Sequence, residues 1–146
     1  MLALAIGLML TKTTAGSAAA YCRAQPFDAE ALGYFVGNYD VIGRDARTGQ
    51  PFIGSGRFSL SKSLEVQWLG RSGPVSGTAW IELCGADAIP ILRIAFREAG
   101  TEFDGQCRFQ SELDNYARVT CRVAARGLPN STEGLLAFFF RPVSSS

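Results

Sequence analysis

Apolar and polar residues alternate with a period of two along most of the chain, the signature of strands with one face buried. Eight segments carry it. The first runs from Tyr34 to Gly43 and ends in the turn Arg44-Asp45-Ala46-Arg47-Thr48-Gly49. In the second, Phe52 to Ser61, Phe52, Gly54, Gly56, Phe58 and Leu60 share one face, opposite Ile53, Ser55, Arg57 and Ser59. Leu64 to Arg71 turns Leu64, Val66 and Trp68 inward, and Ser72-Gly73-Pro74 reverses the chain. Val75 to Leu83 follows. Pro90 opens the fifth segment, with Leu92, Ile94 and Phe96 inward, and Ala99-Gly100 makes the next turn.

The sixth and seventh segments form a hairpin. Phe103, Gly105, Cys107 and Phe109 alternate with polar residues, and so do Ala117, Val119, Cys121 and Val123 on the return. A fold at Glu112-Leu113-Asp114-Asn115 sets Cys107 opposite Cys121 on the buried face. That disulfide closes a loop of about 15 residues and contributes roughly 3 kcal/mol. Gly134 to Arg141 is the last strand. It has apolar residues on both faces, which predicts that the N-terminal segment covers its outside. One short helix is expected at Asp28–Leu32, capped by Asp28, stopped at Gly33, and plugging one end with Phe27 and Leu32.

Short connections favour pairing of consecutive strands. The expected fold is all-β: an eight-stranded antiparallel up-and-down barrel, closed to remove its two edges, with a β-sandwich as the alternative.

The first 20 residues read as a signal peptide. Leu2 to Leu10 is too short to span a bilayer, and small residues precede Tyr21 in the manner of a cleavage site. Residues 21–146 then form a single domain, periplasmic or secreted, with no stable membrane insertion after cleavage. Export suits an even number of cysteines. By elimination Cys22 pairs with Cys84. Beyond Ala20 the charges balance at 13 basic and 13 acidic residues, so no global attraction to nucleic acid is expected.

The chain has no histidine. That removes the Ser-His-Asp and Cys-His constellations and any imidazole metal site. No cysteine spacing suits zinc and no glycine-rich loop opens a helix, so no cofactor and no enzymatic role are expected. Asp40, Asp45, Glu65 and Glu82 are carboxylates that nothing in the sequence brings together. Asn130-Ser131-Thr132 is a glycosylation sequon in a loop.

The inward residues are where a ligand would sit: Tyr39, Phe58, Trp68, Phe96, Phe103 and Phe109, with Phe52 nearby. An eight-stranded barrel either fills with its own side chains or holds one small ligand, and periodicity does not separate the two. The inward glycines are equally two-sided, leaving room or permitting coiling. Trp80 points outward, as a partner anchor or under the N-terminal tail. Arg93, Arg97, Arg108, Arg118 and Arg122 line an outer face, with Arg97 across its turn from Glu102. That stripe is either a solvated surface or a site for an acidic protein partner or other anion.

A helical turn, then Gly37-Asn38-Tyr39-Asp40-Val41 on the first strand, then an antiparallel meander, resembles the calycin group, the lipocalins and related small ligand-binding barrels. The lipocalin first strand carries Gly-x-Trp, and a late Arg packs across the ring. Carried over, Gly37-x-Tyr39 is the motif, with Tyr39 in place of Trp, and Arg141 is the Arg. The resemblance implies binding of a small apolar molecule in the barrel interior. The residue reading keeps a second function open: a structural or protein-interaction barrel with a filled interior, such as an inhibitor of another exported protein.

Overall fold

The computed structural model describes residues 21–109, 117–128 and 131–142. The expected signal peptide, the turn at Glu112–Asn115 and Asn130 of the sequon lie outside the described residues. Strand β1 (Cys22–Ala24) is followed by helix α1 (Ala29–Gly33) and then by β2 (Gly37–Arg44), β3 (Pro51–Leu60), β4 (Leu64–Gly70) and β5 (Gly73–Cys84). The remaining strands are β6 (Ile89–Glu98), β7 (Thr101–Phe109), β8 (Val119–Ala125) and β9 (Gly134–Arg141). Asp28 caps α1 by accepting hydrogen bonds from the Glu30 and Ala31 amides at 3.0 and 3.2 Å.

Every pairing is antiparallel. The ladder runs β5-β4-β3-β2-β9-β8-β7-β6, and β6 pairs back onto β5. Eight strands therefore close into a barrel in sequential order, and the sandwich alternative does not apply. Within the β7–β8 ladder Cys107 pairs with Cys121, and the two sulfurs are bonded on the buried face. The Ala99-Gly100 turn links β6 to β7 with both central residues at positive φ, 48° and 81°, which is the type I′ geometry of a two-residue hairpin.

Strand β1 is hidden from the pattern, because three residues are too few for a period. It extends the line of β4 along the edge of β5, where β4 pairs with Gly73–Ala79 and β1 with Glu82–Cys84. The Cys22–Cys84 bond holds it there, as elimination predicts. This corrects the expectation for β9: the described N-terminal segment runs along β5 and leaves the outside of the last strand uncovered.

The barrel has two ends. Helix α1 lies at one of them, against the end of β3 and beside the start of β4. Here Leu32 is buried, but Phe27 is 54% exposed and Phe35, at 0%, is the ring that closes the barrel. The expected plug thus shifts from Phe27 to Phe35, since the turn after α1 is what points inward. The other end, the mouth, is ringed by the β2–β3, β4–β5 and β6–β7 turns.

Candidate functional site

The predicted interior residues share one continuous run of ring contacts. Phe109 meets Phe35 edge-on with centroids 5.0 Å apart, and Phe35 meets Phe58 at 6.2 Å. Phe58 contacts Tyr39 at 5.4 Å and Phe138 at 5.2 Å. Phe138 reaches Trp68 at 6.3 Å, Trp68 meets Phe96 edge-on at 4.8 Å, and Phe96 stacks on Phe103 at 5.1 Å. All six residues proposed as a ligand lining are therefore brought together. Phe35 and Phe138 belong to the same run and escape the sequence reading.

The two halves of this run differ. Toward the helix end Phe35, Tyr39, Phe58 and Phe138 are fully buried. The Tyr39 hydroxyl donates to the Phe35 carbonyl at 2.6 Å, so the polar tip of the ring is satisfied within the core. Burial raises its pKa, with Arg118 pulling the other way. The inward glycines hold no spare room: a Cβ at Gly56 would lie 2.7 Å from a Val41 methyl and one at Gly77 2.5 Å from the Ala95 carbonyl oxygen. Neighbours have moved into the volume that each missing side chain leaves.

At the mouth Phe52, Trp68, Val75, Phe96 and Leu136 line a cup that encloses about 20 Å³. Of the predicted ligand residues, Trp68 and Phe96 are the ones that face it. Its rim is polar. Asp45 is 6% exposed and accepts from the Arg47 and Thr48 amides at 2.8 and 2.9 Å, holding the β2–β3 turn. Glu98 stands beside it, 3.8 Å from Arg47. Burial, and then the Asp45 charge, raise the Glu98 carboxyl above the usual carboxylate range against the pull of Arg47. Glu98 escapes the sequence reading, since only barrel closure brings β6 next to the β2–β3 turn.

The arginine that packs on the aromatic end is Arg118 and not Arg141. Its guanidinium lies 3.8 Å from the Phe140 ring centre and 4.9 Å from that of Tyr34, and it donates to the Tyr34 carbonyl at 3.2 Å. Arg141 instead binds Asp40 on the outside, lowering the Asp40 pKa. Arg118 therefore leaves the outer stripe, because β8 begins where the barrel wall ends and the side chain bends over the rim.

Three of the four arginines left in the stripe stand beside carboxylates, and Arg108 does not among the described residues. Arg97 meets Glu102 at 2.5 Å, as expected, Arg93 approaches Glu82 at 3.7 Å, and Arg122 approaches Glu133 at 3.6 Å. Arg126 joins Asp104 and Glu102. Trp80 is half-buried, donates to Glu82 at 3.1 Å and helps line a 230 Å³ hollow with Gln25, Pro26 and Phe27 of the N-terminal segment. A wider hollow of 490 Å³ lies over Asn38, Ser55, Arg57, Gln67 and Arg141. Among the described residues, Cys22, Glu82 and Cys84 have ligand-type atoms close enough for a metal, but both sulfurs are in the disulfide. Ile53, Ile42 and Leu69 are exposed on the outer wall at 81, 50 and 49%.

The architecture is that of a small closed β-barrel compatible with a calycin-like fold, with an aromatic cluster inside and two disulfides that fit an oxidising compartment. No family model, no curated protein and no solved structure matches the chain.

Proposed function

We propose that this is an exported, non-enzymatic interaction barrel: its interior is a packed core, and it acts on a protein partner through its outside. The packing of the rings carries this reading. Tyr39, Phe35, Phe58 and Phe138 have no exposure, and the space enclosed at the mouth is about 20 Å³. Pockets for small molecules run to roughly 300–1,000 Å³. Both disulfides support export, and a core closed by rings and cystines makes a rigid platform.

Titration with N-phenyl-1-naphthylamine and with a long-chain fatty acid tests the reading, followed by tryptophan emission in a Trp80→Phe variant so that Trp68 alone reports. The expected result is no saturable change. A saturable quench of Trp68 would overturn it and support the second reading, a small apolar ligand. The apolar wall of the mouth favours that second reading: Phe52 and Phe96 are only partly buried there, and a ligand would enter by separating Trp68 from Phe96.

A further inference from the structure

The outside of β9, β2 and β3 carries apolar side chains side by side across three neighbouring strands. One row across these strands is wholly apolar: Ile53 pairs with Ile42, and Ile42 pairs with Ala137. Ile53 is 81% and Ile42 50% exposed. The rows on either side are built as opposites. Two residues along β2 in one direction is Asp40, paired with Phe139 of β9, and two in the other is Arg44, paired with Leu135. Each flanking row therefore holds one charge beside one apolar side chain, with the charge sign reversed between them.

We propose that this face binds a second copy of the chain, in a two-fold dimer whose axis lies in the interface along the Ile53–Ile42–Ala137 row. That operation turns each strand end for end. It lays the apolar row on its own copy, Arg44 on the partner's Asp40, Asp40 on the partner's Arg44, and Leu135 on the partner's Phe139. A two-fold interface must be self-complementary in this way. A parallel arrangement of the same faces would set Arg44 on Arg44, and like charges in register are strongly disfavoured. Among the described residues Arg44 has no carboxylate within ion-pair distance in its own chain, whereas Asp40 already holds Arg141. The second copy supplies the anion that Arg44 lacks. The inference stands whether the barrel core is packed or takes a ligand.

Sedimentation equilibrium tests it, with wild type expected as a monomer–dimer equilibrium. Ile53→Arg should abolish the dimer and leave Tm unchanged when measured at concentrations where wild type is monomeric, since the side chain supports nothing inside. Asp40→Lys and Arg44→Glu should each weaken self-association by about tenfold or more, because each places like charges at both symmetry-related positions. Mixed in equal amounts, the two variants should form a heterodimer, since both symmetry-related contacts then join opposite charges. The introduced ammonium of one variant meets the introduced carboxylate of the other, and the unaltered Arg44 meets the unaltered Asp40. A monomeric wild type at protein concentrations on the order of 1 mM would overturn the proposal. A dimer that survives Ile53→Arg, or a mixture that associates no better than its parts, would do the same. Monomers that bind phosphatidylglycerol vesicles would reassign the face to an anionic lipid surface and would also overturn it.

Discussion

The helix end and the mouth of this barrel are made by the same alternating strands, yet they finish differently. At the helix end the inward rows keep their rings to the last residue, α1 lies across them, and Arg118 covers Phe140 and Tyr34 with its guanidinium. At the mouth the rings give way to Asp45 and Glu98, which line the same cup as Trp68 and Phe96, and no element among the described residues crosses the opening. A barrel end needs both a ring to fill the lumen and a polar group that can sit on that ring without being stranded. A cation does this on an aromatic face. A carboxylate beside a second carboxylate does not, because at Glu98 burial and the Asp45 charge both disfavour the anion.

The sharpest way to break the contrast is to delete one ring at each end. Phe58→Ala removes a side chain with no exposure, held by Phe35, Tyr39 and Phe138. It should cost about 3–5 kcal/mol, because surrounding rings cannot collapse into the gap. Phe96→Ala at the half-exposed mouth should cost about 1–2 kcal/mol. Urea denaturation with the disulfides intact measures both. Equal losses would show that the mouth is as tightly packed as the helix end.

Removing the Cys107–Cys121 bond, in the double Ala variant, should cost roughly 3 kcal/mol by releasing a short loop in the unfolded chain. The loss belongs to the whole barrel, since both cysteines are fully buried mid-wall. The bond joining Cys22 to Cys84 closes a much longer loop, 62 residues apart in sequence, but holds only a three-residue strand at an edge. Its removal should free β1 in hydrogen exchange while the β2–β9 ladder stays protected.

Arg118→Gln tests the cap itself and should cost about 1–2 kcal/mol, from the lost cation–π contacts and the bond to the Tyr34 carbonyl. Arg118→Lys should recover only part, as an ammonium cannot lie flat on Phe140 while reaching the carbonyl. The matching change at Arg141 should be nearly silent, because that pair is on the solvated outside.

How much of this is legible in the sequence follows from how local each cause is. Strand faces, the Cys107–Cys121 register and the Asp28 cap depend on residues within a few positions of each other, and alternation with turn chemistry exposes them. The closed order follows from short connections. Parity assigns Arg118 to the wall, but parity says nothing about a side chain one residue beyond the wall. The choice between Phe27 and Phe35 depends on the angle at which α1 leaves its cap, and β1 is too short to have a pattern. The Asp45–Glu98 meeting and the Ile42–Ile53 row arise only when strands far apart in sequence become neighbours. Ile53 is visible among Ser55, Arg57 and Ser59 as an apolar residue on a polar face, yet its partner across the ladder supplies the meaning.

The smallest effect is the most diagnostic of the mouth. Glu98 is more easily protonated in the folded barrel than in the unfolded chain, because burial and the Asp45 charge disfavour its anion more than Arg47 favours it. A carboxyl with a raised folded pKa contributes stability that is complete below its unfolded pKa and is lost as pH rises through the folded value. At neutral pH the anion is therefore a net cost to the fold. Glu98→Gln is neutral at every pH and escapes that cost, so it should raise Tm at pH 7, and the gain should shrink to nothing by about pH 3, where wild type is protonated in both states. Thermal scans of the two proteins at a series of pH values measure the difference directly. A variant less stable at pH 7 would mean that the Arg47 pair outweighs burial, and the mouth would then be a stabilised polar rim like the Arg126–Asp104 pair on the outer wall instead of an end left without a cap.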